Sequence, residues 1–425
     1  MKGKIKLDAS LVGTIILIVI GYVFIHDLLG GTLFDHNHWD SYTLQAMAWL
    51  DGKVGLGQNY SWLELAIYDN DWFVSFPPFP SVLMLPWAFI AKTFGGIVHN
   101  NILMIVYTII TIILVNKCLK FFKYSEEQSA FWSVVVVLGS NMMWMSTMGG
   151  VWFQAQLLNM LFCVIAVLCA FYDKRIPAFI CLACAFGCRP FSLFYYAVLF
   201  VWFYKKDVEK NQINGKKNGN QDKVISGFDK LKNILVIVFK GQWRACIVPA
   251  CMAVGYMIYN YVRFDSPFEF GHNYLPEFTE SENGQFNMVY LLENLSNLFI
   301  RGFKFKENLR LEIPIFNGFW FYIANPFFLI MFACIIKNLK NKDFDIVRIV
   351  LLVCMFANII ALCIHKTLGG WQFGARYTVD LIPFALMYVL LSKKEAKFEK
   401  WETYVGIFAI MFNLYGVMYI YLGMG

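Results

Sequence analysis

Apolar residues run in long stretches along this chain, and polar residues gather in a few places between them. Residues 128–172 carry no charge over 45 positions, and 313–336 and 403–425 are also charge-free. About 20 apolar residues suffice to cross a bilayer as a helix, and a helix satisfies its own backbone where lipid offers no partner. The pattern predicts eleven or twelve helical segments: near 11–30, 79–94, 100–120, 128–147, 153–172, 176–188, 190–204, 243–262, 317–337, 346–364, 377–392 and 402–422. The first is read as a retained span, because no small-residue cleavage site follows it and further spans come later. One further stretch, Phe286 to Ile300, places Met288, Leu291, Leu292, Leu295 and Leu298 at helical spacing between polar residues. It reads as a helix lying on the membrane surface.

Composition sharpens this picture. The chain is 59% hydrophobic and 18% aromatic, far from a soluble protein. The net charge of +7 does not point to nucleic acid, because its lysines sit in short loops beside spans. Nine lysines and four acids fall in 205–240, which reads as a cytoplasmic loop facing anionic lipid. The basic run Met1 to Lys6 places the N-terminus on the same side. Two large segments are then expected outside, 31–78 and 263–312, within a single integral membrane domain over 1–425. The second has eight acids against five bases. Helix parity closes only if 79–94 fails to cross or if 176–204 is one broken helix. The prolines at 77, 78, 80 and 86 favour the first. The eleven cysteines lie in or beside spans, so no disulfide framework is expected.

The candidate chemistry lies in the first outer segment. Residues 31–78 hold six acids (Asp35, Asp40, Asp51, Glu64, Asp69, Asp71), the histidines His36 and His38, and a single lysine, Lys53. Asp69-Asn70-Asp71 has a metal-nucleotide form but reads as a turn between apolar runs. Two nearby histidines without further ligands make no metal site, so no metal and no cofactor is expected. Arg189 is the only charge between Ile176 and Tyr204, and an ionised group in a span is costly and usually functional. Its ordinary alternative is snorkelling, made easier by Pro190. Arg376 has Asp380 at helical spacing, which predicts an intrahelical ion pair as its bland role.

A resemblance rests on several runs taken in order. They are Asp35-His36-Asn37-His38, Leu50-Asp51-Gly52-Lys53, Trp62 to Tyr68, Phe76-Pro77-Pro78-Phe79-Pro80, Asn260 to Phe264 with Pro267 to Gly271, and Gly370 to Tyr377. Together they resemble the GT-C glycosyltransferases, more narrowly the bacterial dolichyl-phosphate-mannose-protein mannosyltransferase-like membrane proteins. The similarity spans roughly 30 to 385. It implies an all-α polytopic fold of about 11–13 transmembrane helices, with two large extracytoplasmic loops. It also implies a donor sugar on a polyprenyl phosphate, with an early acid of the first outer loop as catalytic base. At position 64 this chain has Glu where relatives often have Asp.

The chemistry sets its own requirements. A carboxylate must take the acceptor's proton, and cations or donors must steady the departing phosphate. Asp35 is the expected base, because it follows the first span closely. Glu64 is expected to orient the acceptor or share the base role, with Asp40 in reserve. Arg189, Arg263 and Arg376, with His38 and His272, are expected around the phosphate. The expected partners are the polyprenyl-phosphate sugar donor, a glycan, lipid or protein acceptor, and membrane lipid. The expected setting is a bacterial cytoplasmic membrane with an extracytoplasmic active site. A transporter or flippase for a lipid-linked saccharide or other envelope precursor is the competing reading. Against it stand the large asymmetric first loop and the lack of an internal repeat. A non-catalytic envelope scaffold is a third reading.

Overall fold

The computed structural model describes residues 8–215 and 227–423, without the side chains of 211–215 and 227–240. The basic run before Leu7 and much of the expected 205–240 loop therefore lie outside the described residues. Among the described residues six helices are long and apolar enough to cross a membrane: Ala9–Leu28, Asn100–Phe121, Val151–Phe171, Gly241–Phe264, Ile346–Cys363 and Lys400–Tyr421. Several leave large apolar side chains uncovered, such as Leu17, Val254, Ile258, Phe356 and Met411. Such faces fit lipid as solvent, and the chain is an integral membrane protein.

Local chemistry explains where the helices begin. Asp8 caps Ala9–Leu28 by accepting from the Leu11 amide at 2.7 Å. Ser125 caps Glu126–Leu138, whose first turn carries Glu126 and Glu127. Asp345 caps Ile346–Cys363, and a capping box formed by Glu399 and Glu402 opens Lys400–Tyr421. These side chains satisfy amides that a helix start leaves bare.

Two expected segments break inside the protein. The 128–147 stretch divides into Glu126–Leu138 and Met142–Met145, and 317–337 into Phe321–Ala324 and Phe327–Lys340. A buried asparagine network supports both breaks. The Asn141 amide donates to Asn325 Oδ1 at 2.9 Å, and Asn325 Nδ2 returns to Asn141 Oδ1 at 3.0 Å. Asn325 also reaches Thr378 Oγ1, Ala375 N donates to Asn141 Oδ1, and Asn413 Nδ2 holds the Ala324 carbonyl. Interrupted backbone in an apolar interior needs such partners. Gly374 stands against this network at φ +76°, and a Cβ there would lie 2.3 Å from Asn141 Nδ2.

Contacts at the helix ends resolve the parity. Phe79 N donates to the Gly187 carbonyl, and beyond the far end of Phe79–Phe94 the Val98 carbonyl meets His36 Nδ1 at 2.9 Å. Both ends of this helix thus lie at one end of the bundle, so it does not cross. The opposite end gathers the ion pairs Lys120–Asp8, Arg175–Asp207, Lys205–Asp345 and Lys393–Glu402.

Residues 31–78 are more ordered than their polarity suggests. They form the helix Ser41–Leu50 and the antiparallel hairpin Leu65–Tyr68 with Asp71–Val74. Asp69 and Asn70 make its two-residue turn at φ 47° and 61°, as a type I′ turn requires. The expected surface helix is Leu291–Phe299, preceded by a short 3₁₀ turn. Leu291, Leu295 and Leu298 pack inward, whereas Met288 and Leu292 face out.

Candidate active site

A cavity of about 940 Å³ opens at the end of the bundle opposite those ion pairs. Its wall draws on stretches far apart in the chain: 37–39, Glu64, 76–77, 148–155, 188–191, 270–286, Phe316 and 365–377. The wall is mostly apolar and aromatic, with a few converging polar groups, the usual character of a ligand site.

Glu64 is the carboxylate that reaches the cavity from residues 31–78. It stands immediately before the hairpin, whose stem fixes its backbone: Ser75 Oγ donates to the Glu64 carbonyl at 3.3 Å. Its Oε2 accepts from Trp152 Nε1 at 3.0 Å. The carboxylate is reachable from the cavity yet walled by protein. That loss of water pushes its pKa above the usual range, and Glu277 adds to the rise. The Trp152 N–H and the Arg376 charge pull the other way.

Two arginines face the same space. Arg189 uses Nε to hold Asp380 Oδ2 at 2.9 Å, and its guanidinium carbon lies 4.4 Å from the centre of the Tyr377 ring. Asn159 Nδ2 donates to the other oxygen of Asp380 at 3.0 Å, while Asn159 Oδ1 accepts from Ser192. Arg376 is buried and donates to neutral oxygens: twice to the Gly369 carbonyl, at 2.8 and 3.1 Å, and once to Gln156 Oε1 at 3.0 Å. The expected Arg376–Asp380 pair is thus corrected, since Asp380 pairs with Arg189. The reason is local: Arg376–Leu381 is a 3₁₀ helix, not the α-helix whose period would bring the two together. Among the described residues Arg376 has no ion-pair partner. The glycines before it shape its seat. Gly369 sits at φ +108°, and a Cβ there would come within 2.9 Å of Arg376 Nε.

His272 lines the cavity with its Nδ1 2.7 Å from the Ser75 carbonyl. Nδ1–H therefore donates, and Nε2 is left as an acceptor. Burial pushes its pKa down to about 4, the Ser75 bond resisting and the Arg189 charge adding to the fall. It is a neutral ring at ordinary pH and offers the phosphate neither charge nor a free donor, contrary to expectation. His365, not anticipated, faces it across Phe278. It is pushed to about 4 mainly by burial, with Gln285 Nε2 donating to its Nε2 at 3.1 Å.

The remaining expected residues scatter. Asp35 is exposed and does not line the cavity, because the chain turns away through the short 3₁₀ helix Thr32–Phe34 before it. Asp40 is fully buried as the cap of Ser41–Leu50, bonded to the Thr43 amide and hydroxyl and to Asn100 Nδ2 at 2.7 Å. Arg263 is buried away from the cavity. It donates to the Val74 carbonyl and to Asn260 Oδ1, both at 2.8 Å, and stacks under Tyr259. Arg263 and His272 thus pin adjacent carbonyls of the strand end that carries the Glu64 hairpin. His38 reaches the cavity rim, and its carbonyl accepts from Trp62 Nε1. Trp39, Trp152, Trp371, Tyr377, Glu277 and Gln285 also line the space. Trp152 carried no sequence signal of its own, since it sits inside an apolar run, and the signal at Asp380 pointed to Arg376 and not to Arg189. Among the described residues, no three His, Cys, Asp or Glu side chains gather to hold a metal.

No family model matches the chain, and no curated protein matches it. Among solved structures it is similar to the Archaeoglobus fulgidus oligosaccharyltransferase in its apo form, at 12% identity and a TM-score of 0.47. That match covers 96% of this chain and 55% of the other. It is also similar to the Archaeoglobus fulgidus oligosaccharyltransferase AglB in complex with an inhibitory peptide and a dolichol-phosphate. There the identity is 13% and the TM-score 0.49, over 97% of this chain and 55% of that one. The chain spans about half the length of these solved chains.

Proposed function

We propose that this protein is a GT-C-type glycosyltransferase that moves a sugar from a polyprenyl-phosphate donor to an acceptor hydroxyl. The observation that carries the reading is the pairing in one cavity of a carboxylate raised in pKa, Glu64, with a buried arginine, Arg376, that has no carboxylate partner among the described residues. A buried unpaired charge is expensive, and arginine keeps its charge in poor solvent. An anionic ligand would complete the site, and the apolar walls and surrounding spans suit one that carries a lipid chain.

The chemistry follows from these groups. The acceptor oxygen attacks the anomeric carbon as the bond from that carbon to the phosphate oxygen breaks. The phosphate leaves with the bonding electrons, and the hydroxyl proton passes to Glu64. One base suffices for this inverting displacement, because phosphate leaves without an acid. Arg376 and Arg189 meet the charge growing on the phosphate. Asp380 and Asn159 hold Arg189 from behind, leaving its terminal nitrogens for the ligand. In this reading Glu64 takes the base role first expected of Asp35. Asp40 becomes a helix cap and Arg263 a strut for the hairpin.

The donor class is tested by comparing the affinities of the purified protein for polyprenyl phosphate, polyprenol and inorganic phosphate. Tightest binding of polyprenyl phosphate, weakened by Arg376→Ala, is the expected result. Equal affinity for polyprenol would remove the phosphate from the reading.

A further inference from the structure

The strands Lys304–Phe305 and Leu311–Glu312 form a small hairpin outside the expected spans and away from the cavity. Its turn has Leu309 N donating to the Lys306 carbonyl at 2.9 Å and Lys306 N to the Arg310 carbonyl at 2.8 Å. This is a three-residue loop whose last position must adopt a left-handed conformation, a place for glycine or asparagine. Here it is Leu309, at φ +59°. A leucine there is sterically disfavoured, and it is 80% exposed, with Phe305 65% exposed beside it. The backbone cost is the same in any surroundings, but the exposed apolar pair is costly in water.

The surroundings indicate what the hairpin meets. Just past it, Ile313 N donates to Tyr419 Oη at 3.0 Å, near the end of the span Lys400–Tyr421. That span turns Met411 and Leu414 outward, and Leu422 just past it is exposed. On the other side, Trp320 Nε1 holds the Ile300 carbonyl, tying the hairpin's base to the helix whose Leu292 is exposed. The apolar tip therefore continues a lipid-facing belt. Residues 301–312 also carry four bases, Arg301, Lys304, Lys306 and Arg310, against Glu307 and Glu312. Basic residues around an apolar tip match an anionic lipid surface.

We infer that the hairpin 304–312 is a membrane wedge: Leu309 and Phe305 enter the bilayer edge, and the surrounding bases take anionic headgroups. The tip holds the second outer segment against the lipid on its own account, independently of what the cavity binds.

The test uses the full-length protein in nanodiscs of phosphatidylcholine, with or without phosphatidylglycerol. Nitroxide labels are placed by Leu309→Cys, Phe305→Cys and, as the polar control, Glu307→Cys, in a Cys251→Ser background. Collisions with oxygen, which concentrates in lipid, are compared with those of a water-soluble nickel complex. The inference expects a severalfold higher oxygen-to-nickel ratio at 309 and 305 than at 307, rising further with phosphatidylglycerol. Equal nickel access at all three sites would overturn it. So would protection from both reagents, which would mean a protein cover. A ratio at 309 and 305 indifferent to phosphatidylglycerol would overturn the headgroup assignment. Phe305→Cys, which leaves the left-handed turn untouched, keeps the test valid if the turn variant misfolds.

Discussion

Glu64 and Arg376 are the side chains on which the chemistry turns, and each yields a prediction. Glu64 must be ionised to accept a proton. As pH falls through its raised pKa, the base is lost and turnover drops. The acid limb of kcat/KM is therefore expected above the ordinary glutamate value of about 4.3, and absent from the residual activity of Glu64→Gln. His272 and His365, pushed down to about 4 chiefly by burial, are expected to titrate on the acid side of that limb. For the clamp, Arg376→Ala should weaken donor binding about tenfold to a hundredfold. A charge-assisted bond contributes about 1.5–3 kcal/mol. Arg376→Lys should restore only part of it, because one ammonium cannot replace the planar fork. Titration with polyprenyl phosphate measures both. Asp40 tells the opposite story: Asp40→Ala should lower the unfolding midpoint, the loss of a cap being worth about 1 kcal/mol. Asp40→Asn should also lose stability, because its amide nitrogen would face either the Thr43 amide or Asn100 Nδ2, both donors, and it should leave the pH profile unchanged.

Elements position these residues, and at this scale the hairpin before Ser75 matters most. Arg263 and His272 grip the Val74 and Ser75 carbonyls, so the strand Asp71–Val74, which pairs with the strand that Glu64 precedes, is held from residues 263–272. Arg263→Ala should therefore lower kcat with little change in donor affinity, whereas Arg376→Ala should raise the donor KM. Kinetics on the two variants separates a strut from a clamp. Much at this scale was legible in the sequence. The apolar runs marked the spans closely, and Asp69-Asn70 read as a turn because both residues tolerate positive φ. The breaks at Asn141 and Asn325 were not legible, since their partners are far apart in the chain. The Arg189–Asp380 pair was missed for the same reason: a local period suggested Arg376, and a 191-residue separation hid the true partner. Asp35 looked favourable by its nearness to the first span, but the path of the chain, not sequence distance, decides what reaches the cavity.

For the whole molecule, the path of Phe79–Phe94 sets which segments share a face. Labels at Gln58, Thr93 and Asn283 should react from one side of the membrane, and a label at Lys394 from the other. A cysteine at Thr93 reactive from the Lys394 side would mean that the helix crosses after all. That arrangement also gathers the cavity from stretches far apart in the chain, so the central claim concerns what their convergence accomplishes. The most direct measurement is a single-turnover sugar transfer by purified wild type and Glu64→Gln, with donor affinity measured on the same samples. The account predicts that Glu64→Gln binds polyprenyl-phosphate sugar nearly as wild type does and transfers it at least a hundredfold more slowly, within the 10²–10⁴ range of general-base catalysis. Transfer at the wild-type rate by Glu64→Gln would contradict it.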